Sequence, residues 1–546
     1  MGNAKATVYL VGAGPGRPDL ITLRGVECLR QADAVVLDAL VDRRVLSHCS
    51  PGVRIIEAGK RGGGRVFLRQ PAINRLLVRL ARSGKTVVRL KGGDPYFFGR
   101  GAEEAEALAD QNIPFEVVPG VSSVTSVPGF AGIPLTHRGH ASTVTVVTGH
   151  QGRENPYLGD SAGQAARRRG PGVDWAKISP NGTLVILMGL NQLPYISRRL
   201  LGLGWSPALP AAAIQWGSWA HQRTVRGTLS DIAWQVKQKA LGAPAVIVIG
   251  DVAGLGTKLD WFGKRPLFGK TVLVTRAREQ ASTLTALLEK AGARVIESPL
   301  ISISPLPLGK RGRGFLENLP QYDGILVTSA NGAKILAKKI QSTGHLRPQG
   351  QNFFVQDSVD GSPVPTGESR LAGRLKGRPI PPVFAVGAKT AEALRAEGLE
   401  VDRTAETFQS EGLVKLLGRR LDGKKFLLAR ARVGRDLIES ALARRGARVD
   451  LWPLYETRPV ALSGDAKAAL LSGEVDAVTF TSSSTVTSFM GNFTSTQRRR
   501  IFSRTRAVSI GPITSRALRA GGVRPLQARG AATIEDLADT VVRALS

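Results

Sequence analysis

The chain has 546 residues, of which 42% are hydrophobic and 22% are charged, an ordinary balance for a globular protein of several domains. Its formal net charge of +32 would suit nucleic acid, an anionic membrane or a polyanionic small substrate. The arginines are scattered rather than interleaved with aromatic residues, so we expect no nucleic-acid partner. The sequence has no apolar run of about 18 residues and no signal-peptide pattern, so we expect no membrane association and a cytoplasmic location.

The two cysteines, Cys28 and Cys49, lie close together without a CxxC pair and without a histidine at ligand spacing. This spacing predicts neither a metal site nor a disulfide framework. We expect two reduced thiols, as in a cytosolic protein.

Short apolar runs bounded by turn residues predict strands along the N-terminal half of the chain. These strands are expected at Val8–Val11, Ala34–Leu37, Val87–Leu90, Phe115–Val118, Ser142–Val147, Leu184–Met188 and Ala245–Ile249. A helical pattern begins at about Leu23, after the first strand and its turn. Strands that alternate with helices predict an α/β fold with a mostly parallel sheet.

The first turn, GAGPG at Gly12–Gly16, is a glycine-rich turn between a strand and a helix. It fits a dinucleotide fold, because Asp38 ends the next strand about twenty residues on, where a ribose-binding acid would lie. The third glycine comes one residue early for GxGxxG, however, and Pro15 lies inside the turn. The turn alone leaves a dinucleotide and another nucleoside ligand equally open.

A second glycine-rich turn occurs in VVRLKGGDPYFFGRGAEE, residues Val87–Glu104. Its two glycines allow the backbone to approach a ligand closely, Asp94 offers a carboxylate, and Pro95 stops the strand. A tight surface turn would not account for the whole string. Together the two turns resemble the uroporphyrinogen-III C-methyltransferases.

This resemblance covers roughly Val8–Val252 and rests on many motifs in order. They are GAGPGRPDLITLRG, LDALV, GKR, QPAIN, RLKGGDPYFFGRG, PGVSS, AGIPLTHR, VTGH, LVILMG, QRTVRGTL and APAVIVIGDV. The resemblance implies a two-lobed tetrapyrrole methylase that binds S-adenosyl-L-methionine in the cleft between its lobes and forms a homodimer.

The same resemblance assigns roles to individual residues. It implies cofactor binding by Pro15, Gly92, Gly93, Asp94, Phe97, Ser122, Ser123, Met188 and Gly217. It implies that Asp38 is a catalytic base and that Lys60, in GKR, is a proton donor. The alternatives are a helix N-cap for Asp38 and a solvated charge for Lys60. The chain departs from the family at Ser122-Ser123, where Thr-Ala is common, and after GKR, where a histidine-containing stretch is usual.

Two segments of the N-terminal half read as connections. The polar, glycine- and arginine-rich stretch Gly149–Trp175 predicts a surface loop. Residues 255–267 predict an interdomain linker whose aromatic residues dock on a neighbouring surface. We therefore expect a first domain over residues 5–254 and a second over residues 268–546.

The second domain repeats itself weakly. Four segments recur in the same order: GKTVLVTRAR as GKKFLLARAR, GARVIESPL as GARVDLWPL, ILVTSANG as VTFTSSST, and FAVGAKTAEALRAEG as VSIGPITSRALRAGG. The repeat predicts two related α/β lobes. Residues 344–382 have no counterpart in the second half and predict a loop or a disordered insertion.

The duplicated region resembles uroporphyrinogen-III synthase through VTRAR, VTSANG, AVGAKTAEAL, LYET, TFTSSSTV and SIGPITSRAL. The resemblance implies two α/β lobes on a thin connection, substrate between them and no cofactor. It implies that Tyr455 helps a hydroxyl group to leave, although a strand aromatic that covers the core is the alternative. Thr328, Ser329, Thr481, Ser482 and Thr514 lie at strand-to-helix turns, where they could cap helices or bind substrate carboxylates.

The two resemblances together imply one bifunctional enzyme of tetrapyrrole biosynthesis. It would cyclise hydroxymethylbilane to uroporphyrinogen III and methylate that product twice to precorrin-2, for siroheme or cobalamin. Two other classes remain open from the residues: an NAD-dependent dehydrogenase, suggested by Gly12–Gly16 with Asp38, and a non-catalytic polyanion-binding module, suggested by the net charge.

Overall fold

A computed structural model describes residues 7–58, 68–149, 172–276, 278–342, 380–405, 410–434 and 436–546. Lys60, nearly all of the stretch Gly149–Trp175 and residues 344–379 of the expected insertion lie outside the described residues. The described strands form four sheets. Each face of each sheet is covered by its own apolar cluster. We call each sheet with its helices a lobe, numbered 1 to 4.

Lobe 1 is a fully parallel sheet with the strand order β3-β2-β4-β1-β5. Its strands are β1 (Val8–Gly12), β2 (Ala34–Leu37), β3 (Arg54–Glu57), β4 (Val87–Lys91) and β5 (Phe115–Val118), and the helices between and after them are α1 (Leu23–Gln31), α2 (Gln70–Arg82), α3 (Gly101–Ala109) and α4 (Ser123–Phe130). The predicted strands of this lobe and the start of α1 are confirmed. Continuous apolar runs suit strands that are buried on both faces, as β2 and β4 are.

Lobe 2 has the strand order β6-β7-β10-β8-β9. Its elements are β6 (Val144–Thr148), β7 (Thr183–Leu187), α5 (Leu193–Gly202), β8 (Pro210–Gln215), β9 (Arg223–Thr228), α6 (Ile232–Gln238), β10 (Ala245–Ile249) and α7 (Gly256–Leu259). Only β6 and β7 pair in parallel; the other three pairs are antiparallel. The expectation of a mostly parallel sheet is wrong here, because β8 and β9 are joined by a short connection, which suits antiparallel neighbours.

Lobes 3 and 4 have the strand orders β12-β11-β19-β20-β21 and β13-β18-β17-β14-β15-β16. The strands are β11 (Thr271–Val274), β12 (Arg294–Glu297), β13 (Ile301–Pro305), β14 (Gly324–Val327), β15 (Val383–Ala385), β16 (Arg403–Thr404), β17 (Lys425–Ala431), β18 (Arg448–Pro459), β19 (Ala477–Phe480), β20 (Arg506–Ser509) and β21 (Pro525–Gln527). The helices are α8 (Arg278–Lys290), α9 (Lys310–Glu317), α10 (Ala330–Gln341), α11 (Ala388–Ala396), α12 (Ser410–Leu416), α13 (Leu437–Ala443), α14 (Gly464–Ser472), α15 (Ser483–Gly491), α16 (Ser495–Phe502), α17 (Pro512–Ala520) and α18 (Ile534–Leu545).

The two lobes of the C-terminal half are related, as the repeat predicts, but neither lobe is one half of the repeat. Lobe 3 pairs β11 and β12 of the first half with strands of the second half. Lobe 4 pairs β17 and β18 of the second half with β14 and β13 of the first half. Each lobe therefore combines strands from both halves, because a repeated sequence determines which elements are alike and not which copy each element pairs with.

Two chain segments cross between lobes 3 and 4, and they contact each other. The backbone N–H of Val460 donates to the carbonyl of Leu300 at 2.8 Å. The Ser488 hydroxyl of α15 donates to the same carbonyl at 2.8 Å. The connection is therefore a hydrogen-bonded pair of segments rather than a single thread.

The segment 255–267 packs against the N-terminal half. Trp261 donates its indole N–H to the carbonyl of Gly129 at 3.0 Å, and Phe262 is buried. The Phe262 ring contacts both Phe130 and Phe268, which lie on either side of the segment. This packing fits the prediction that the aromatic residues dock on a neighbour. In the described residues, no helix is long and apolar enough to cross a membrane.

Candidate functional site

A cavity of about 690 Å³ lies between lobes 1 and 2. Lobe 1 lines it with turns at the carboxyl ends of β1, β2 and β4, the edge where α/β sheets commonly bind ligands. Lobe 2 contributes the ends of β7 and β8 and the start of β10. Eight residues predicted from sequence line this interlobe cavity: Pro15, Asp38, Gly92, Gly93, Phe97, Ser123, Met188 and Gly217.

The two glycine-rich turns hold each other. The N–H of Gly93 donates to the carbonyl of Gly14 at 2.7 Å, and the N–H of Gly14 donates back at 3.2 Å. A Cβ atom on Gly12 would lie 2.6 Å from the Cα of Gly120, so only glycine fits there. Gly93 has a φ of 68°, in the left-handed region that favours glycine. The glycines thus bring three backbone segments together at the edge of the cavity.

Asp94 and Ser122 are predicted cofactor residues that do not line the cavity. The Asp94 carboxylate accepts hydrogen bonds from the N–H groups of Tyr96 at 2.8 Å and Gly120 at 3.0 Å. The Ser122 hydroxyl caps α4 by accepting from the N–H of Val124 at 3.3 Å. Both side chains hold the turns that shape the cavity, and their cofactor contacts stay a prediction.

Asp38 reaches the cavity from the end of β2, with 34% of its side chain exposed. One carboxylate oxygen accepts from the N–H of Ala39 at 2.6 Å, and the other lies 3.7 Å from an Arg89 guanidinium nitrogen. The carboxylate therefore has a fixed orientation, a nearby positive charge and access to the cavity.

A buried cluster of charges that the sequence reasoning missed lies behind Asp38. Glu104 is fully buried and accepts from Lys91 and from Arg89 at 3.0 Å. Burial, and then the positive charge of Arg89, lowers the pKa of Lys91. The sequence signal for this cluster was the strand VVRLK, in which two basic residues interrupt an apolar run. Buried charges require partners, so such a strand indicates a buried acidic residue nearby.

Large apolar side chains line the cavity without being covered. Leu40, Phe97, Phe98 and Met188 are each between 42% and 49% exposed, and all four face the same cavity. Apolar surface around a concave, partly polar site is typical of an organic ligand pocket. The lining thus fits a nucleoside ligand: turn backbone and carboxylate for its polar groups, and soft apolar cover from Met188.

The sequence reasoning also missed several other residues that line the cavity. These are Leu40, Phe98, Trp216 and Trp219, with Arg100, Asn191 and the segment 243–246. The tryptophans follow β8 and pack near His221. Their only signal was a cluster of aromatic residues in the sequence.

In the C-terminal half, Tyr455 lies in β18 and is buried. Its hydroxyl is 3.0 Å from the Ser329 hydroxyl. Ser329 caps α10, since its oxygen accepts from the N–H of Gly332 at 3.0 Å. The structure thus brings together one predicted catalytic residue and one predicted substrate residue.

The other predicted substrate residues are divided between lobes 3 and 4. Thr328 follows β14 in lobe 4, whereas Thr481 and Ser482 follow β19 in lobe 3. Ser482 caps α15 with a capping box to Thr485. Thr514 lies in the first turn of α17 and is buried. Capping accounts for the serines, and a contact with substrate stays a prediction for all five residues.

The possible metal ligands and the two thiols can be compared with the sequence predictions. Within the described ranges, no group of three histidine, cysteine or acidic residues could hold a metal ion. Cys28 is buried and Cys49 half-buried, and neither forms a disulfide. Burial raises the pKa of Cys28 to about 11, so its thiol stays protonated near neutral pH.

Comparison with known proteins matches both halves to family models. Residues 7–233 match tetrapyrrole (corrin/porphyrin) methylases, and residues 282–539 match uroporphyrinogen-III synthase HemD. The porphyrin biosynthesis protein HemD of Ruminiclostridium josui is 34% identical over 98% of this chain and 97% of its own length. The uroporphyrinogen-III C-methyltransferase of Bacillus subtilis is 38% identical over 59% of this chain and 63% of its own length.

One solved structure is similar to the N-terminal half in sequence. It is the uroporphyrin-III C-methyltransferase of Thermus thermophilus complexed with S-adenosylhomocysteine, at 38% identity, with 45% of this chain and 93% of that chain covered. The TM-score of this match is 0.37.

Proposed function

The chain belongs to the family that joins a tetrapyrrole methylase to a uroporphyrinogen-III synthase, and from this premise we propose that it carries out successive steps on one substrate. It is an S-adenosyl-L-methionine-dependent uroporphyrinogen-III C-methyltransferase fused to a uroporphyrinogen-III synthase. The proposal is that residues 268–546 close hydroxymethylbilane to uroporphyrinogen III. Residues 5–254 then methylate that product twice, giving precorrin-2 for siroheme or cobalamin.

The observation that carries the proposal is the pairing of Asp38 with uncovered apolar side chains in one cavity. S-adenosylmethionine, when bound, supplies an electrophilic methyl group. Pro15, Gly92, Gly93 and Ser123 line the part of the cavity nearest the glycine-rich turns and would hold the nucleoside there. Alignment of the acceptor carbon with the methyl group contributes most of the rate, because the protein does little covalent work.

Methylation of a pyrrolic carbon requires a proton to leave the macrocycle, and Asp38 is the base that we propose for this step. Its carboxylate faces the cavity, and an Arg89 guanidinium nitrogen lies 3.7 Å from one of its oxygens. Lys60 remains a proposed proton donor on the resemblance alone. The second methylation would use the same arrangement of residues, with a different carbon of the macrocycle placed next to the methyl group.

Cyclisation requires departure of a hydroxyl group and folding of a flexible chain. We propose that Tyr455 donates a hydrogen bond to the leaving hydroxyl while Ser329 holds the phenol group in place. We propose that backbone N–H groups at the starts of α10 and α15 bind carboxylates of the substrate. Lobes 3 and 4 would then bind the chain from opposite sides.

A methyl count tests the proposal directly. Uroporphyrinogen III and S-adenosylmethionine labelled in its methyl group are incubated anaerobically with the whole chain, and the products are resolved by mass. Two labelled methyl groups per macrocycle are expected, and a product that stops at one would overturn the second step. Calorimetry with S-adenosylhomocysteine against NADH provides the control: binding of NADH alone would favour a dehydrogenase.

Two further elements of the proposal rest on the resemblance. We propose a homodimer formed through residues 5–254, which light scattering of the whole chain at several concentrations tests. We also propose a cytoplasmic location, which fractionation of source cells tests.

A further inference from the structure

A second large cavity lies in lobe 3, away from both proposed active sites. It has a volume of about 790 Å³ and lies where the last turns of α16 and α17 meet the first residues of β20 and β21. The predicted substrate residues Thr481, Ser482 and Thr514 follow the opposite, carboxyl ends of strands in the same sheet. The cavity is therefore separated from them by the length of the sheet.

Four arginines line this cavity: Arg498, Arg499, Arg506 and Arg524. We call it the arginine cavity. Its lining contains no aspartate or glutamate, and among the described residues none of the four arginines takes part in an ion pair. Arg499, Arg506 and Arg524 are exposed, and Arg498 is half-buried with one hydrogen bond, to the Ser495 hydroxyl at 3.0 Å.

The acidic residues beside this edge of the sheet are already paired. Glu474 lies 3.4 Å from Arg294, and Asp476 lies 3.7 Å from Lys270. Asp476 also accepts from the N–H of Thr271 at 2.8 Å. Neither of these two acids is thus free to neutralise the cavity, and an anion that enters it would meet four guanidinium groups, each of which can donate two parallel hydrogen bonds.

Part of the remaining lining is apolar, beside the hydroxyl residues Ser495, Ser503 and Thr505. Phe502 is half-buried, Leu526 is 40% exposed, and both line the same concavity as the arginines. An apolar wall with guanidinium groups around it suits a flat, largely apolar molecule that carries carboxylates on its rim, and arginine binds carboxylates in a bidentate manner. A small inorganic anion would not use the apolar wall.

Arginines in the last turn of a helix can also serve only to complement the helix dipole. That explanation fits Arg499 in α16. It does not fit Arg506 and Arg524, which stand at the starts of strands. Arginines from three different elements converge on one cavity, and the helix dipole does not explain this convergence.

We propose that the arginine cavity is an accessory binding site for a polycarboxylated tetrapyrrole. This inference rests on the proposed function. The product of the synthase, which is also the substrate of the methylase, is an octacarboxylate and therefore has the charge and the apolar ring that this cavity would bind. The site would retain the anion on the protein after cyclisation, outside either active site. Four cationic groups and an apolar wall supply both parts of the recognition.

Uroporphyrin I, an oxidised octacarboxylate that undergoes neither reaction, is the probe for this site. Its binding to the whole chain is followed by equilibrium dialysis and by quenching of its fluorescence. The double variant Arg498→Gln with Arg524→Gln should lose one salt-sensitive binding site, with affinity there at least about tenfold weaker. The matched control is Arg516→Gln with Arg519→Gln, exposed arginines of α17 outside the lining, which should bind as the unmodified chain does.

Several outcomes would overturn the proposal. One is an unchanged isotherm in the double variant that keeps its melting temperature; another is equal loss in the control. Displacement of the porphyrin by inorganic phosphate at similar concentration would identify a simple anion site instead. The Phe502→Ala variant tests the apolar contact separately from the charges. Porphyrin binding should weaken in this variant, and an unchanged affinity would show that Phe502 does not contact the ligand. Cyclisation and methylation rates, measured on the same samples, test the proposed function separately, because they should not change in the double variant.

Discussion

The two halves of the molecule build their candidate sites in different ways. In the N-terminal half, two glycine-rich turns touch backbone to backbone, and most of the predicted residues line one cavity. In the C-terminal half, the predicted residues are divided between lobes 3 and 4, and several of them cap helices. A site made of close backbone contacts is fixed by the fold itself, whereas a site divided between two lobes depends on how they hold the substrate.

The internal repeat sharpens this contrast. Ser329 and Ser482 are equivalent by the repeat, and both cap helices with nearly the same backbone angles, φ of −159° and −157°. Tyr455, however, corresponds to Ile301 in the first half. The scaffold is therefore duplicated, while the tyrosine hydroxyl is present in one copy only, which favours Tyr455 as the residue that distinguishes the two halves of the repeat.

The largest effect is expected from Asp38→Asn. The variant keeps the size of the side chain but loses the base, so methylation should slow by ~10²-fold or more while cyclisation is unchanged. Calorimetry with S-adenosylhomocysteine should give nearly the same affinity as the unmodified chain. Weaker cofactor binding with an unchanged rate would assign Asp38 to the binding of cofactor instead.

Tyr455→Phe should give the next largest effect, in the other half only. Loss of the phenol hydroxyl removes a hydrogen bond worth at least about 1.5 kcal/mol to a developing charge, so cyclisation should slow about tenfold. Methylation of supplied uroporphyrinogen III should not change. Ile301→Val is the control at the equivalent position and should spare both rates. Equal losses of cyclisation and methylation in Tyr455→Phe would indicate misfolding.

Ser482→Ala and Ser329→Ala compare the two equivalent caps. Each variant should lose about 1 kcal/mol of stability from its helix cap, measured by denaturant unfolding. Ser329→Ala should also slow cyclisation, because it leaves Tyr455 without its hydroxyl partner. If Ser482→Ala slows cyclisation more than Ser329→Ala does, lobe 3 rather than lobe 4 holds the reacting group.

The smallest effect concerns the fusion of the two halves. A short connection raises the effective concentration of one site's product at the next, and a basic surface slows the escape of an anion. The intact chain should therefore release less free uroporphyrinogen III than an equimolar mixture of the Asp38→Asn and Tyr455→Phe chains. The difference should shrink as salt rises, since the Debye length falls from ~10 Å at 0.1 M to ~3 Å at 1 M. Equal lag times for chain and mixture at low salt would exclude this advantage.

The sequence predicted more of lobe 1 than of any other part. Its strands are continuous apolar runs between turn residues, and its glycine turns are contiguous motifs, so local pattern was enough for Val8–Gly12 and Ala34–Leu37. The antiparallel pairing of lobe 2 and the exchange of strands between lobes 3 and 4 depend on long-range contacts. No periodicity records those contacts.

The candidate site was predictable to a similar degree. Motif residues such as Gly93 and Asp38 were found, whereas Trp216 and Trp219 were missed because they reach the cavity only through the approach of lobe 2 to lobe 1. Asp94 shows the reverse case, since a conspicuous carboxylate in a motif has two backbone partners and holds the turn together.

The central claim is that one chain closes the macrocycle and methylates it. The most direct test supplies hydroxymethylbilane and S-adenosylmethionine together to the purified whole chain under anaerobic conditions and determines the mass and isomer of the product. The account predicts a type III macrocycle that carries two added methyl groups. An unmethylated product, or the type I isomer formed at the uncatalysed rate, would contradict it.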